Sequence, residues 1–577
     1  MLKFFVFEQD ALQPDDVLRH AHLLAPDNML VAGAITFEGR VITCEKTNRD
    51  AVALGLQVSV TETPPVELPD GDPAAGFELP GPPPGVLTLQ TCLLPERDRP
   101  YLLSIELARH RAMLFYNKLE AWQISDLQPD DPIMKLFEQG RLLFTHALSS
   151  PRTGGEETFG YTREANALAY ASLCALITAS EMLAIEEVRR RFVPRVKGEI
   201  YAQAVEHATA VGRPPARPAS PAPLEESVGV ALASAPLVGC TISPTSFTDS
   251  AQAVAAESFD FVSMPMRWVE MEPTEGRYAF QATDRWIEWA VRKAKLPVVA
   301  GPLLDFKALR VPDWLYIWEN DYETLRDYVH EHIKNLVTRY RRTIGRWTVV
   351  SGIHVNGNFH FSFDQMMDLT RRAVTQVRKL DPTAKILIEI DQPWGEYYTD
   401  NRHSLPPMLY ADAIASQAGL IVDGFGLRVQ MGQSEAGRST RDLMAFSAML
   451  DRYALTERPI SITAMGAPSA PIGATSAPEL AGRSPGHWHS DWTEGGQADW
   501  AAAYMAVAAS KPFVQSICWQ DLYDVPDPVE MPKGGLISVS GEAKPTATRI
   551  RELMKAIHDK TAAPLPERFA EGVATRR

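Results

Sequence analysis

The chain has 577 residues, enough for two or three domains. Its 45% apolar and 22% charged content is that of a globular protein and excludes a disordered or fibrous chain. A formal net charge of −15, with no basic segment to offset it, argues against a nucleic-acid partner.

Cys44, Cys92, Cys174, Cys240 and Cys518 are scattered without paired spacing, which fits buried thiols in a reducing compartment better than a disulfide framework or a zinc knuckle. The N-terminal MLKFFVFEQD has only a short apolar run before Glu8, too short for a signal peptide. Residues 165–185 are rich in Ala and Ser and run out at Glu181, short of the roughly 20 strongly apolar residues that a membrane span needs. They read as a buried helix. The expectation is a cytoplasmic protein with no membrane partner.

Residues 1–98 read as a β-rich, sandwich-like domain, a type suited to carbohydrate binding. GRVITCEK and GLQVSV are β-branched runs, and GVLTLQTCLL alternates with period two. Residues 99–205 read as helical, with Tyr101, Ile105, Ala108, Ala112, Phe115 and Leu119 forming one apolar stripe. Residues 206–232 carry Pro, Ala and Ser with almost no bulky apolar side chain, the composition of a semi-rigid linker.

From 233 to 560 strands and helices alternate, with 561–577 left as a tail. Apolar strands are expected at 236–242, 259–264, 296–301, 346–350, 384–390, 422–427, 458–463 and 514–519. Continuous apolar strands separated by helices imply parallel strands buried on both faces, and eight such units fit a (β/α)8 TIM barrel. The fold class is therefore α/β. An open doubly wound sheet is the alternative, but no GxGxxG follows the first strand.

Within this half, FVSMPMRWVEMEPTEGRYAFQATDRWIEWAVRKAK resembles glycoside hydrolase family 10, the xylanase-type barrels, through its Glu-Pro-Thr-x-Gly-x-Tyr-x-Phe turn and the Asp-Arg that follows. RYRRTIGRWTVVSG, LDPTAKILIEIDQ, VDGFGLRVQMG, RPISITAMGAPS and VQSICWQDLYD resemble the family's fourth to eighth strands, in order, so the resemblance spans about residues 235–557. It implies retaining hydrolysis of a β-1,4-linked, xylan-like polysaccharide or oligosaccharide, with no cofactor. That chemistry needs two glutamates about 5–5.5 Å apart, one protonating the leaving oxygen and one attacking the anomeric carbon. The resemblance places them at Gly352 and Ala464, neither of which can ionise.

The family's sugar-subsite positions fall on Arg267, Trp268 and Gln430, and its sugar platform on Trp519. Trp394 and Trp488 are further aromatic surfaces for the apolar faces of sugar rings. Asp305, Asp391 and Asp521 stand at expected strand ends, where barrels keep their sites, and are the candidates for a relocated catalytic pair. Their plainer role is to bind nearby arginines. His487, His489 and Asp491 recur at spacing two and would share one side of an extended loop, a weak metal signal beside the expectation of no metal. Three functions follow: a glycan-binding barrel without the catalytic pair, a glycosidase with relocated carboxylates, or a structural or assembly protein with no glycan ligand. Oligomeric state is not legible.

Overall fold

A computed structural model of the chain describes residues 1–7, 18, 20–46, 50–69, 71–210, 235–399, 401, 403–433, 435, 437–471, 485–524, 531 and 533–569. Residues 211–232 of the expected linker and 570–577 of the expected tail lie outside the described residues, while residues 206–210 belong to the helix Glu199–Ala210.

Two sheets open the chain. In one, Gly33–Glu38, Val41–Lys46, Leu2–Phe5 and Tyr101–Leu102 lie side by side in that order. In the other the order is His487–Trp488, Gly85–Gln90, Ala53–Val60, His22–Leu24 and Leu30–Val31. Side chains alternate across a strand, and the central strands bury both rows, Phe4 in the main core and Phe5 in a second cluster with Leu102 and Leu143. Phe4 and Ile42 from the first meet Leu54, Leu56, Val58 and Leu87 from the second in one core. Both sheets reach past residue 98, and the second takes its edge strand from the far end of the chain.

Three long helices follow, Leu103–Ala121, Pro132–Ser149 and Arg163–Val196. Asp131 and Thr162 cap the second and third by accepting from the backbone N–H groups of Ile133 and Ala165. By length and composition the segment Glu156–Val196 is long and apolar enough to cross a membrane, and 89% of its most apolar window is buried inside the protein.

The C-terminal half is a closed parallel barrel, a TIM barrel. Its strands are Leu237–Thr241, Phe261–Met264, Val298–Ala300 (continued at Leu304–Asp305), Ile344–Ser351, Lys385–Ile390, Gly424–Gln430, Ile460–Gly466 and Val514–Trp519. Closure comes from Trp519 pairing with Cys240 and from Val298 pairing with Ile344. Every residue of the sixth strand is buried, as expected where helices cover the outside and side chains fill the inside. The helix after the fourth strand, Phe363–Leu380, starts on a capping box formed by Ser362 and Gln365.

The two halves meet across a seam rich in buried charge. Arg111 donates to both carboxylate oxygens of Asp442, at 2.9 and 2.7 Å, and Asp442 also caps the barrel helix Leu443–Ala454. Lys511 bridges Glu187 and Asp451, each at 2.8 Å. Arg195, in the long helix, donates to the carbonyls of Ala509 and Val514. Glu396 accepts from Arg441 and from Ser439; burial alone would raise its pKa, but Arg441, His20 and His22 outweigh that and hold it at about 2.

Removing one partner of a buried ion pair leaves the other charge in a poor dielectric, a loss of about 3–5 kcal/mol. Arg111→Ala should therefore lower unfolding stability by about 3 kcal/mol or more in urea titrations. A loss under about 1 kcal/mol would mean that the seam is wet and the pair is not what holds the halves together.

Candidate functional site

Barrel side chains point inward at every second residue, so the strand ends decide what meets at the mouth. Ser351, the last residue of the fourth strand, pairs with Glu389 of the fifth. Its hydroxyl donates to Glu389 Oε1 at 2.5 Å. Arg428 of the sixth strand pairs with Ala464 of the seventh. Arg428 donates to the same Glu389 oxygen at 3.1 Å and to Gln520 Oε1 at 3.1 Å, which links the fourth, fifth, sixth and eighth strands through one buried guanidinium. Deeper in the barrel, Arg346 donates to Ser516 Oγ at 2.9 Å, and burial lowers its pKa to about 10. Only about 30 Å³ of space remains among these groups, room for a water and no more.

Above them lies a cavity of about 340 Å³, lined by Phe306, Lys307, Arg310, Gly352, Asn358, Phe359, Glu435 and Arg438. Asp391 lies beneath it, fully buried. Lys307 Nζ contacts its Oδ2, Arg428 Nε and Arg438 Nη2 stand 3.8 and 3.7 Å from its Oδ1, and the Gln392 N–H donates to Oδ1 at 2.9 Å. Three cationic side chains and an N–H thus surround that carboxylate. Burial, followed by the charge of Arg438, lowers the pKa of Lys307 to about 8.

Gly352 explains how Asp391 fits. Its φ is +56°, in the left-handed region that glycine adopts without penalty. A Cβ there would lie 3.1 Å from Asp391 Cβ and 3.6 Å from Asp391 Oδ2. A side chain at 352 would thus begin by pressing on the Cβ of Asp391, with the carboxylate oxygen in ordinary contact. Ala464, fully buried, offers the mouth only a methyl group.

The remaining candidates separate. Asp305 stands at the end of the third strand, accepts from the Lys307 N–H at 3.2 Å and lines the inner cavity with Arg267. Arg267 also binds Glu270 at 2.7 Å. Asp521 is buried just past the eighth strand, where its carbonyl accepts from the Leu536 N–H. Gln430 is buried at the end of the sixth strand, and neither of its amide atoms is hydrogen-bonded among the described residues.

The tryptophans divide between core and seam. Trp268 is stacked on His332 at 4.2 Å and donates to Glu272. Trp519 is fully buried, donating to the Gly534 carbonyl at 3.0 Å and meeting Trp500 edge-on. Neither presents a free face. Trp488 sits in the seam, where it donates to Glu181 at 2.7 Å, and Trp394 is half-buried there under Arg441.

The two histidines and Asp491 do not converge. His487 pairs with Asp491 at 3.4 Å, while His489 meets Glu181 at 3.0 Å and the Pro83 carbonyl at 2.9 Å. The physical reason is the backbone: His489 has a φ of +63°, which breaks the extended run that would have put them on one side. Among the described residues no group of three or more His, Cys, Asp or Glu is placed to hold a metal.

Sequence reasoning missed Lys307, Arg310 and Arg438. Lys307 and Arg438 lie in loops beyond their strands, where no periodicity marks the direction of a side chain.

The fold and mouth define a (β/α)8 barrel with its functional groups at the C-terminal strand ends, the class to which many sugar-cleaving enzymes belong. The model of the family described as Glycosyl hydrolase family 10 matches residues 228–476, and the barrel is of that family's type. The chain is 27% identical over 212 residues to Endo-1,4-beta-xylanase 2 of Claviceps purpurea, a match covering 36% of this chain and 61% of that protein. It is 23% identical over 206 residues to Endo-1,4-beta-xylanase B of Thermotoga neapolitana, covering 35% and 55%. The chain thus spans 61% and 55% of the lengths of these curated relatives. Among solved structures, native xylanase 10B of Thermotoga maritima aligns with a TM-score of 0.43 and 20% identity, over 56% of this chain and 96% of that one. Xylanase 10B of Thermotoga petrophila RKU-1, solved in complex with xylobiose, aligns at 0.41 and 19%, over 56% and 94%.

Gly352→Ala should cost about 1–3 kcal/mol, from a left-handed non-glycine backbone and the forced displacement of Asp391. Denaturant unfolding measures it. A variant as stable as the parent would mean that Asp391 does not need the space at 352.

Proposed function

We propose that the barrel binds a β-1,4-linked, xylan-like oligosaccharide at its mouth without cleaving it by the retaining mechanism. The arrangement at the end of the fourth strand carries this reading. The position to which the resemblance assigns the proton donor is a left-handed glycine, and the space beside it is taken by Asp391 clamped by Lys307. The position assigned to the nucleophile is Ala464, a buried methyl group. A retaining reaction needs one carboxyl that keeps its proton and one that does not. Here Asp391 is enclosed by Lys307, Arg428 and Arg438, and Glu389 is bound to Ser351 and Arg428, so neither carboxyl is free to face a sugar.

Binding is supported by a cavity of about 340 Å³, within the size range of small-molecule sites, with Phe359, Asn358 and three cationic side chains on its wall. The xylanase names of the curated relatives support the glycan class.

A second reading, hydrolysis by relocated carboxylates, is favoured by one observation: Asp391 lies within 3.6 Å of where a side chain at 352 would begin. Asp391 would serve there as nucleophile or base, and it would still need a separate acid.

The protein should release no aryl alcohol from aryl xylobiosides, and Gly352→Glu combined with Ala464→Glu should remain inert, because the new carboxylates would meet Asp391, Lys307 and Arg428 in place of groups that tune them. Activity in the parent that Asp391→Asn abolishes would establish the second reading. Turnover by the double variant alone would show that the sugar subsite survives intact around a missing pair.

A further inference from the structure

The seam between the N-terminal sheets and the barrel holds a cavity of about 760 Å³, larger than the one at the mouth. Both halves of the chain build it: His22 and Gln90 come from the second sheet, Asn28 from the turn Pro26–Asn28 between two of its strands, His110 from the first long helix, and Trp394 and Arg452 from the barrel half. Clefts between structural units, of about 300–1,000 Å³, are where small-molecule sites concentrate.

The lining also restricts what would fit. Its deeper cations are matched within the protein, Arg111 by Asp442, Lys118 by Asp451 and Arg441 by Glu396. Arg452 shares the cavity with the exposed Asp27 and Asp412. Arg111, Lys118 and Arg441 are therefore already engaged and are not left for an anionic ligand to neutralise. Burial lowers the pKa of His22 and lowers that of His110 to about 3, so both imidazoles are neutral at pH 7 and serve as uncharged hydrogen-bonding groups. Trp394 is a flat wall, backed by the Arg441 guanidinium at 4.5 Å from its ring centroid. A backed indole beside imidazoles and side-chain amides suits a neutral, hydroxyl-rich ring compound with apolar C–H faces.

We propose that this seam cavity is a second oligosaccharide site, separate from the barrel mouth and centred on Trp394. Its ligand class rests on the glycan reading of the mouth, and its position does not. No residue lines both cavities among those described for them.

Titration calorimetry of the full chain with xylotetraose, and separately with cellotetraose, tests this. Two sites per chain are expected with at least one of the sugars. Trp394→Ala should weaken one of them about tenfold or more and leave the other unchanged. Trp394→Phe should retain most of the affinity, and Gln90→Leu, distant from the core, should weaken the same site should the alanine variant fold poorly. Lys307→Met should affect only the mouth. Two sites that survive both Trp394→Ala and Gln90→Leu would overturn the inference. One site, lost with Lys307→Met and indifferent to Trp394→Ala, would overturn it and leave the mouth reading standing. One site lost with Trp394→Ala alone would uphold it and overturn the mouth reading. No binding of either sugar would overturn both.

Discussion

The barrel mouth is governed by the need to neutralise charge where water is excluded. An unpaired ion in a protein interior loses several kcal/mol of solvation, so each buried charge must find a partner of opposite sign and good geometry. Arg428 satisfies this by joining Glu389 and Gln520 while standing near Asp391. Lys307 and Arg438 close over Asp391 from two loops. With Ser351 bound to Glu389, these residues come from the third, fourth, fifth, sixth and eighth strands or the loops after them, so the network ties those strand ends together beneath the cavity. The glycine at 352 belongs to the same arrangement: a side chain there would press on Asp391, whose carboxylate the cations hold.

The same constraint joins the halves of the chain. The long helix Arg163–Val196 buries Glu181, Glu187 and Arg195, each answered by a group from the barrel side: Trp488 and His489, Lys511, and two backbone carbonyls. An apolar helix that would serve equally well in a membrane by composition is here wrapped by protein, and its few charges are where the other half takes hold. The edge strand His487–Trp488 adds backbone pairing to the same contact, against Val86 and Gly85. The N-terminal sheets are therefore packed and bonded to the barrel along one continuous apolar core.

Much of the barrel was legible because its strands are short apolar runs cut off by polar turns. The eighth strand matches its expected span, residues 514–519, and the sixth and seventh start two residues later than expected and run three further. The resemblance carried the order of these strands. The environments of individual site residues were less legible, for a physical reason. His487 and Trp488 lie in a strand, with His489 just after it, whose partner is roughly 400 residues earlier in the chain, and neither spacing nor composition reports such a pairing. Trp519 reads as a sugar platform from its position, yet its indole donates inward to Gly534. Lys307 and Arg438 are invisible for the complementary reason: each is an ordinary cation in a polar loop until the strands bring Asp391 beneath it.

The central claim is that the mouth holds a glycan and leaves it whole. The most direct measurement is a crystal structure after prolonged soaking in xylotetraose. The account predicts an unbroken four-residue ligand over Gly352, in contact with the Lys307, Asn358 and Phe359 side of the mouth, with Asp391 still held by Lys307. Xylobiose alone in the mouth, or a sugar covalently joined to Asp391 or Glu389, would contradict it.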